Sequence, residues 1–142
     1  MDNNINILDE LNKGCYMGHD ALNFIIPKVD EDKFKDLLEK QLREYEVFAK
    51  RIDDLYKDYT TKEIHKTNLM TKAMTWYGIQ KDTMTDSSVS KLADLLIKGT
   101  DMGIIEGKKL LNNKTMDKKV HKMCKEYVKM QEDYIDRLKE FL

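Results

Sequence analysis

Residues 13 to 18, Lys-Gly-Cys-Tyr-Met-Gly, recur as Lys98-Gly99-Thr100-Asp101-Met102-Gly103, an offset of 85 residues. Each copy lies in a long amphipathic segment followed by a second one, so the chain reads as a doubled helical hairpin. Downstream the offset becomes 86, and apolar positions pair as Phe34 with Val120, Leu37 with Met123, Leu38 with Cys124, Leu42 with Val128, Ala49 with Ile135 and Ile52 with Leu138. The slip of one residue belongs in a turn. Two hairpins that bury their apolar stripes against each other make an all-α four-helix bundle.

One proline and six glycines in 142 residues leave few breakers, and alternating β-branched runs between turns are missing. The whole chain, 1–142, is read as a single domain with helices over about 4–27, 31–59, 62–80, 88–112 and 117–141. The first starts behind Asn3 or Asn4 as N-cap, turns Ile5, Leu8, Leu11, Cys15, Leu22 and Ile25 inward, and ends near Pro27. The second begins after Asp30 and carries Phe34, Leu37, Leu38, Gln41, Leu42, Tyr45, Phe48, Ile52, Leu55 and Tyr59 at three-four spacing. Thr60-Thr61-Lys62-Glu63 has the form of a capping box and opens a short crossover helix with Leu69, Met70, Ala73, Trp76 and Tyr77. The polar turn from Asp82 to Ser88 supplies caps for the next helix, which Asn112-Asn113 closes. The last turns Val120, Cys124, Tyr127, Gln131, Tyr134, Leu138 and Phe141 inward.

Charge excludes more than it names. With 25 basic and 26 acidic residues the chain has no overall field to draw it to nucleic acid or to anionic lipid. No apolar run approaches the roughly 20 residues of a membrane span, and the start lacks a basic segment followed by an apolar one. The expected location is therefore cytoplasmic. Cys15 and Cys124 suit a reducing compartment, where buried thiols act as small apolar groups.

The Lys-Gly-x-x-Met-Gly repeat, above all Lys98-Gly99-Thr100-Asp101-Met102-Gly103, resembles small bacterial ferritin-like proteins of unknown function whose second-half segment reads Gly-Glu-Asp-Met-Gly. The resemblance spans residues 8 to 60 and 90 to 140 and implies a ferritin-like bundle with a short helix in its crossover. In metal-bearing relatives a glutamate on the first helix of each hairpin joins a Glu-x-x-His on the second, because two hard cations need carboxylates and an imidazole in one cavity. Here Cys15 and Thr100 stand after the glycines, and Tyr45, Phe48, Gln131 and Tyr134 occupy the matching places on the second helices. None is a good ligand for iron or manganese. Burying about four positive charges without carboxylates costs several kcal/mol per ion. Neutral Gln41, Tyr45, Tyr127, Gln131 and Tyr134 are expected instead to satisfy one another by hydrogen bonds.

Gly14 and Gly18, and Gly99, Gly103 and Gly107, form ladders at four-residue spacing. A helical glycine costs about 0.5–1 kcal/mol against alanine, so close approach of two backbones, within the bundle or at a dimer contact, is the expected compensation.

Other constellations are weaker. Cys15 and His19 share a helical face and, with Cys124, would give a zinc site, but no paired C-x-x-C ligands accompany them. Asp20, Asp101, Glu106 and His121 are the alternative ligands for a displaced metal site. His65 and His121 stand beside lysines and read as solvated. Lys118, Lys122, Lys125 and Lys129 stripe the last helix, interrupted by Glu126, Glu132 and Asp133, and read as a solvated face. Nine methionines and seven tyrosines suit an adaptable core that would also accept a small apolar ligand. The resulting expectation is a bundle without a functional di-metal centre and without cofactor, serving as a structural or protein-interaction module. A homodimer with a further, unidentified protein partner is expected, and neither nucleic acid nor membrane. The alternative is a metal-binding oxidoreductase or iron-handling protein with displaced ligands.

Overall fold

The computed structural model describes residues 3–62 and 88–142, and every regular element among them is helical. Helix α1 spans Asn3–Ile25 and runs into a 3-10 turn, Ile26–Lys28. Helix α2 spans Asp32–Tyr56, α3 spans Val89–Asn113, and α4 spans Lys118–Leu138 before a closing 3-10 turn, Lys139–Phe141. The expected helix over 62–80, with His65, lies outside the described residues apart from its first edge. There the Lys62 amide donates to Thr60 Oγ1 at 3.2 Å.

Local chemistry sets the ends. Pro27 sits in the 3-10 turn, where its fixed φ and missing N–H stop α1. The Glu31 carboxylate caps α2, accepting from the Lys33 amide at 3.1 Å and the Phe34 amide at 2.7 Å. Ser88 Oγ caps α3 by accepting from the Lys91 amide at 3.4 Å. The N-cap role expected of Asn3 or Asn4 is corrected: both are helical, and their side chains reach the α3–α4 turn. Asn4 Oδ1 accepts from the Asp117 amide at 2.8 Å, and Asn3 Nδ2 donates to Thr115 Oγ1 at 3.4 Å.

Those contacts also fix the helix directions. Tyr59 Oη donates to Asp117 Oδ2 at 2.9 Å, so the start of α1, the end of α2, the end of α3 and the start of α4 share one end of the bundle. Phe34 and Phe141, with ring centroids 5.1 Å apart, close the other end. Helices α1 and α4 therefore run one way and α2 and α3 the other, so that α2 ends and α3 begins at opposite ends.

The core is one continuous cluster fed by all four helices. On α4 every residue expected inward is buried except Phe141, which is half-buried. On α2 the buried set is Phe34, Leu38, Gln41, Tyr45, Phe48, Ile52 and Tyr56, with Leu37, Leu42, Leu55 and Tyr59 at its margin. Each buried leucine, isoleucine or phenylalanine contributes about 1.5–3 kcal/mol. Packing is closest within the α1–α2 and α3–α4 hairpins; α1 also meets α3 and α4, and α2 meets α4. No helix among the described residues is long and apolar enough to cross a membrane.

Candidate functional site: a neutral polar layer at mid-bundle

Gln41 and Tyr45 on α2 face Tyr127, Gln131 and Tyr134 on α4, and all five are buried. Tyr45 Oη donates to Gln131 Oε1 at 2.6 Å, and Gln131 Nε2 donates to Tyr127 Oη at 3.2 Å. The Tyr134 ring stands edge-on to Tyr45 at 6.4 Å, and Phe48 tilts against Tyr127 at 6.0 Å. Tyr45 and Gln131 are a pair equated by the 86-residue offset, and they touch each other directly. Gln41 Nε2 and Thr100 Oγ1 are buried without a hydrogen-bond partner among the described residues.

Of the six places matched to metal ligands, Tyr45, Phe48, Gln131 and Tyr134 join this layer. Cys15 is buried on α1 and Thr100 on α3. Burial pushes the Cys15 thiol far above its ordinary value and raises Cys124 to about 11, so both stay protonated at neutral pH. Cys124 Sγ donates to the Gly107 carbonyl at 3.6 Å. The donor set does not fit two hard cations: three phenols, two carboxamides, a phenyl ring, a protonated thiol and a hydroxyl supply no anion to offset their charge.

The remaining candidates are spread over the surface. Asp101, Glu106 and His121 are exposed, and Asp20 is half-buried beside His19. Burial raises the Asp20 carboxyl, and the neighbouring imidazole offsets part of that rise. His19 also lies 3.5 Å from Glu46 and 3.1 Å from Asn23. Among the described residues no three His, Cys, Asp or Glu side chains gather as a metal site requires, which separates the Cys15, His19 and Cys124 set as well. A cavity of about 260 Å³ between α1 and α2 reaches Cys15, His19 and Tyr45. Lys118 and Lys122 are exposed, as expected of that stripe.

Gly14 and Gly18 make room for aromatic rings, and Gly107 for a methyl of Val128. A Cβ on Gly14 would run into the Tyr127 hydroxyl and lie 2.9 Å from its Cζ, and one on Gly18 would lie 2.6 Å from Tyr45 Cε2 and Cζ. At both positions the space is filled by a phenol rather than by a neighbouring backbone. Gly14, Gly103 and Gly107 also line one cleft of about 280 Å³ between α1 and α3. On the first two helices the buried residues Ile7, Asn12, Met17, Ala21 and Tyr56 escaped the reading of periodicity. The Tyr56 hydroxyl meets Asp9 across the α1–α2 hairpin, and burial together with that carboxylate raises its pKa.

No family model, curated protein or solved structure matches this chain.

Proposed function

We propose that the chain is a ferritin-like bundle of two related hairpins in which a neutral hydrogen-bonded layer takes the place of a di-metal centre. The molecule then works through its surfaces, as a homodimeric structural or protein-interaction module. The observation that carries this reading is the buried Tyr45–Gln131 hydrogen bond of 2.6 Å. It joins two places where a dinuclear site would need a carboxylate or imidazole, and it satisfies both partners without charge. The helix directions and the contact between residues 86 apart support the ferritin-like and duplicated character. A buried network tying α2 to α4 favours one fixed arrangement of the bundle over a reactive cavity.

The reading is tested by incubating the purified protein with ferrous iron or manganese under argon, desalting it, and measuring metal content. Retention of less than about one ion per chain is expected, against the two of a dinuclear site. Two tightly held ions per chain would overturn it.

A further inference from the structure

We propose that the seam between α2 and α4 is a docking groove for an acidic amphipathic helix of a partner protein. This deepens, and rests on, the reading of the chain as an interaction module. Two open concavities of about 470 and about 430 Å³ share Glu44, Glu126 and Met130 and so adjoin along the seam as one shallow trough. Its apolar lining is Phe48, Met130 and Val47, of which Val47 is 63% exposed and Phe48 is covered by the Arg51 guanidinium, 5.1 Å from its ring centroid. Isolated exposed aliphatics are ordinary, so the lining acquires meaning from the charge around it.

Six cations and three carboxylates line the trough, although the chain as a whole carries a net charge of -1. Arg51 is paired with Glu126, and Lys129 with Asp133 at 3.0 Å. Lys40, Arg43, Lys125 and Arg137 have no ion pair among the described residues, and Glu44 is the one lining carboxylate left to face them. The 86-residue offset equates Arg43 with Lys129 and Arg51 with Arg137, so both banks are basic. From Lys40 to Arg51 the groove runs about 17 Å, the length of a helix of about 12 residues. Such a helix would set aliphatic anchors over Val47 and Met130 and carboxylates against the unpaired cations. An isologous contact with a second copy would press two positive troughs together. Nucleic acid would find no exposed aromatic surface for stacking, since Phe48 is buried.

The test is fluorescence anisotropy of the full chain with a labelled peptide of about 14 residues, leucines at i, i+3, i+4 and i+7 and glutamates on the flanks. A peptide of the same composition with the leucines scattered is the control. Saturable binding is expected for the amphipathic peptide alone, weakening as salt rises from about 0.05 to 0.3 M. Arg43→Glu combined with Arg137→Glu, and separately Val47→Glu, should each raise Kd by about tenfold or more. Circular dichroism of these surface variants confirms that they fold. Three results would each overturn the proposal: equal binding of the scattered peptide, equal or tighter binding of a single-stranded DNA of similar length, or a wild-type dimer that Val47→Glu dissociates while no peptide binds. Metal content measured on the same samples keeps the two readings apart, because failed peptide binding with little retained metal counts against the groove alone.

Discussion

At the scale of single residues, the glycines and the polar layer depend on each other. Alanine would ordinarily favour a helix by about 1 kcal/mol over glycine. At Gly14 and Gly18 the added methyl meets a buried phenol, and overpacking of this kind costs about 1–3 kcal/mol. Gly14→Ala and Gly18→Ala are therefore expected to lower the melting temperature. Gly103→Ala, whose Cβ would lie 3.2 Å from Gln131 Nε2 and Tyr127 Oη, should be milder. Thermal unfolding of the three variants gives the order directly; equal stability at all three would contradict ring-filled glycine positions. Tyr45→Phe strands a buried carboxamide oxygen and should cost about 1–3 kcal/mol. Adding Gln131→Met removes the stranded group and should restore part of that loss in denaturant titrations. Tyr56, Cys15 and Cys124 all have raised pKa values, so the unfolded chain releases their protons first. The thiols' contribution to stability is complete below about pH 9 and declines as pH climbs above it, the Cys124 share being lost by about 11. Urea midpoints measured across that range should fall, and a flat profile would refute the burial of these groups.

Among elements, α2 and α4 were legible because charged residues cover the outward positions, Val47 excepted, and leave an unbroken inward stripe. Gln41 and Gln131 stand in that stripe, which marks them as core despite their polarity. Their grouping with the tyrosines was legible, and Tyr45, Gln131 and Tyr127 do bond to one another, but the atom-to-atom pairing was not, since Tyr45 finds Gln131 86 residues away and Gln41 Nε2 finds no partner among the described residues. In α1 the stripe is blurred by Gly14 and Gly18: Ile5 is half-buried while Ile7, Asn12 and Met17 are buried. The N-terminal asparagines misled for a related reason, because their tertiary partners at Thr115 and Asp117 outcompete local capping. At the start of α2 the cap is local, and Glu31 holds two amides. Glu31→Ala should cost about 0.5–2 kcal/mol, read as a lowered urea midpoint with an unchanged slope.

For the whole molecule, near-neutral total charge conceals an uneven distribution. The α2–α4 seam carries six cations against three carboxylates, while local pairs such as Lys50–Asp54 and Lys98–Asp94 balance charge elsewhere. Exposed pairs of that kind add about 0–1 kcal/mol each, so stability rests on the apolar cluster and the neutral layer inside it. A homodimer is expected in sedimentation velocity at micromolar protein, through a surface other than the basic trough; a monomer at every accessible concentration would contradict it. The deciding measurement is X-ray diffraction at the iron absorption edge from crystals grown after anaerobic iron loading. The neutral layer leads us to expect no anomalous peak among Tyr45, Tyr127, Gln131 and Tyr134. A pair of peaks about 3.5–4 Å apart inside the bundle would contradict it.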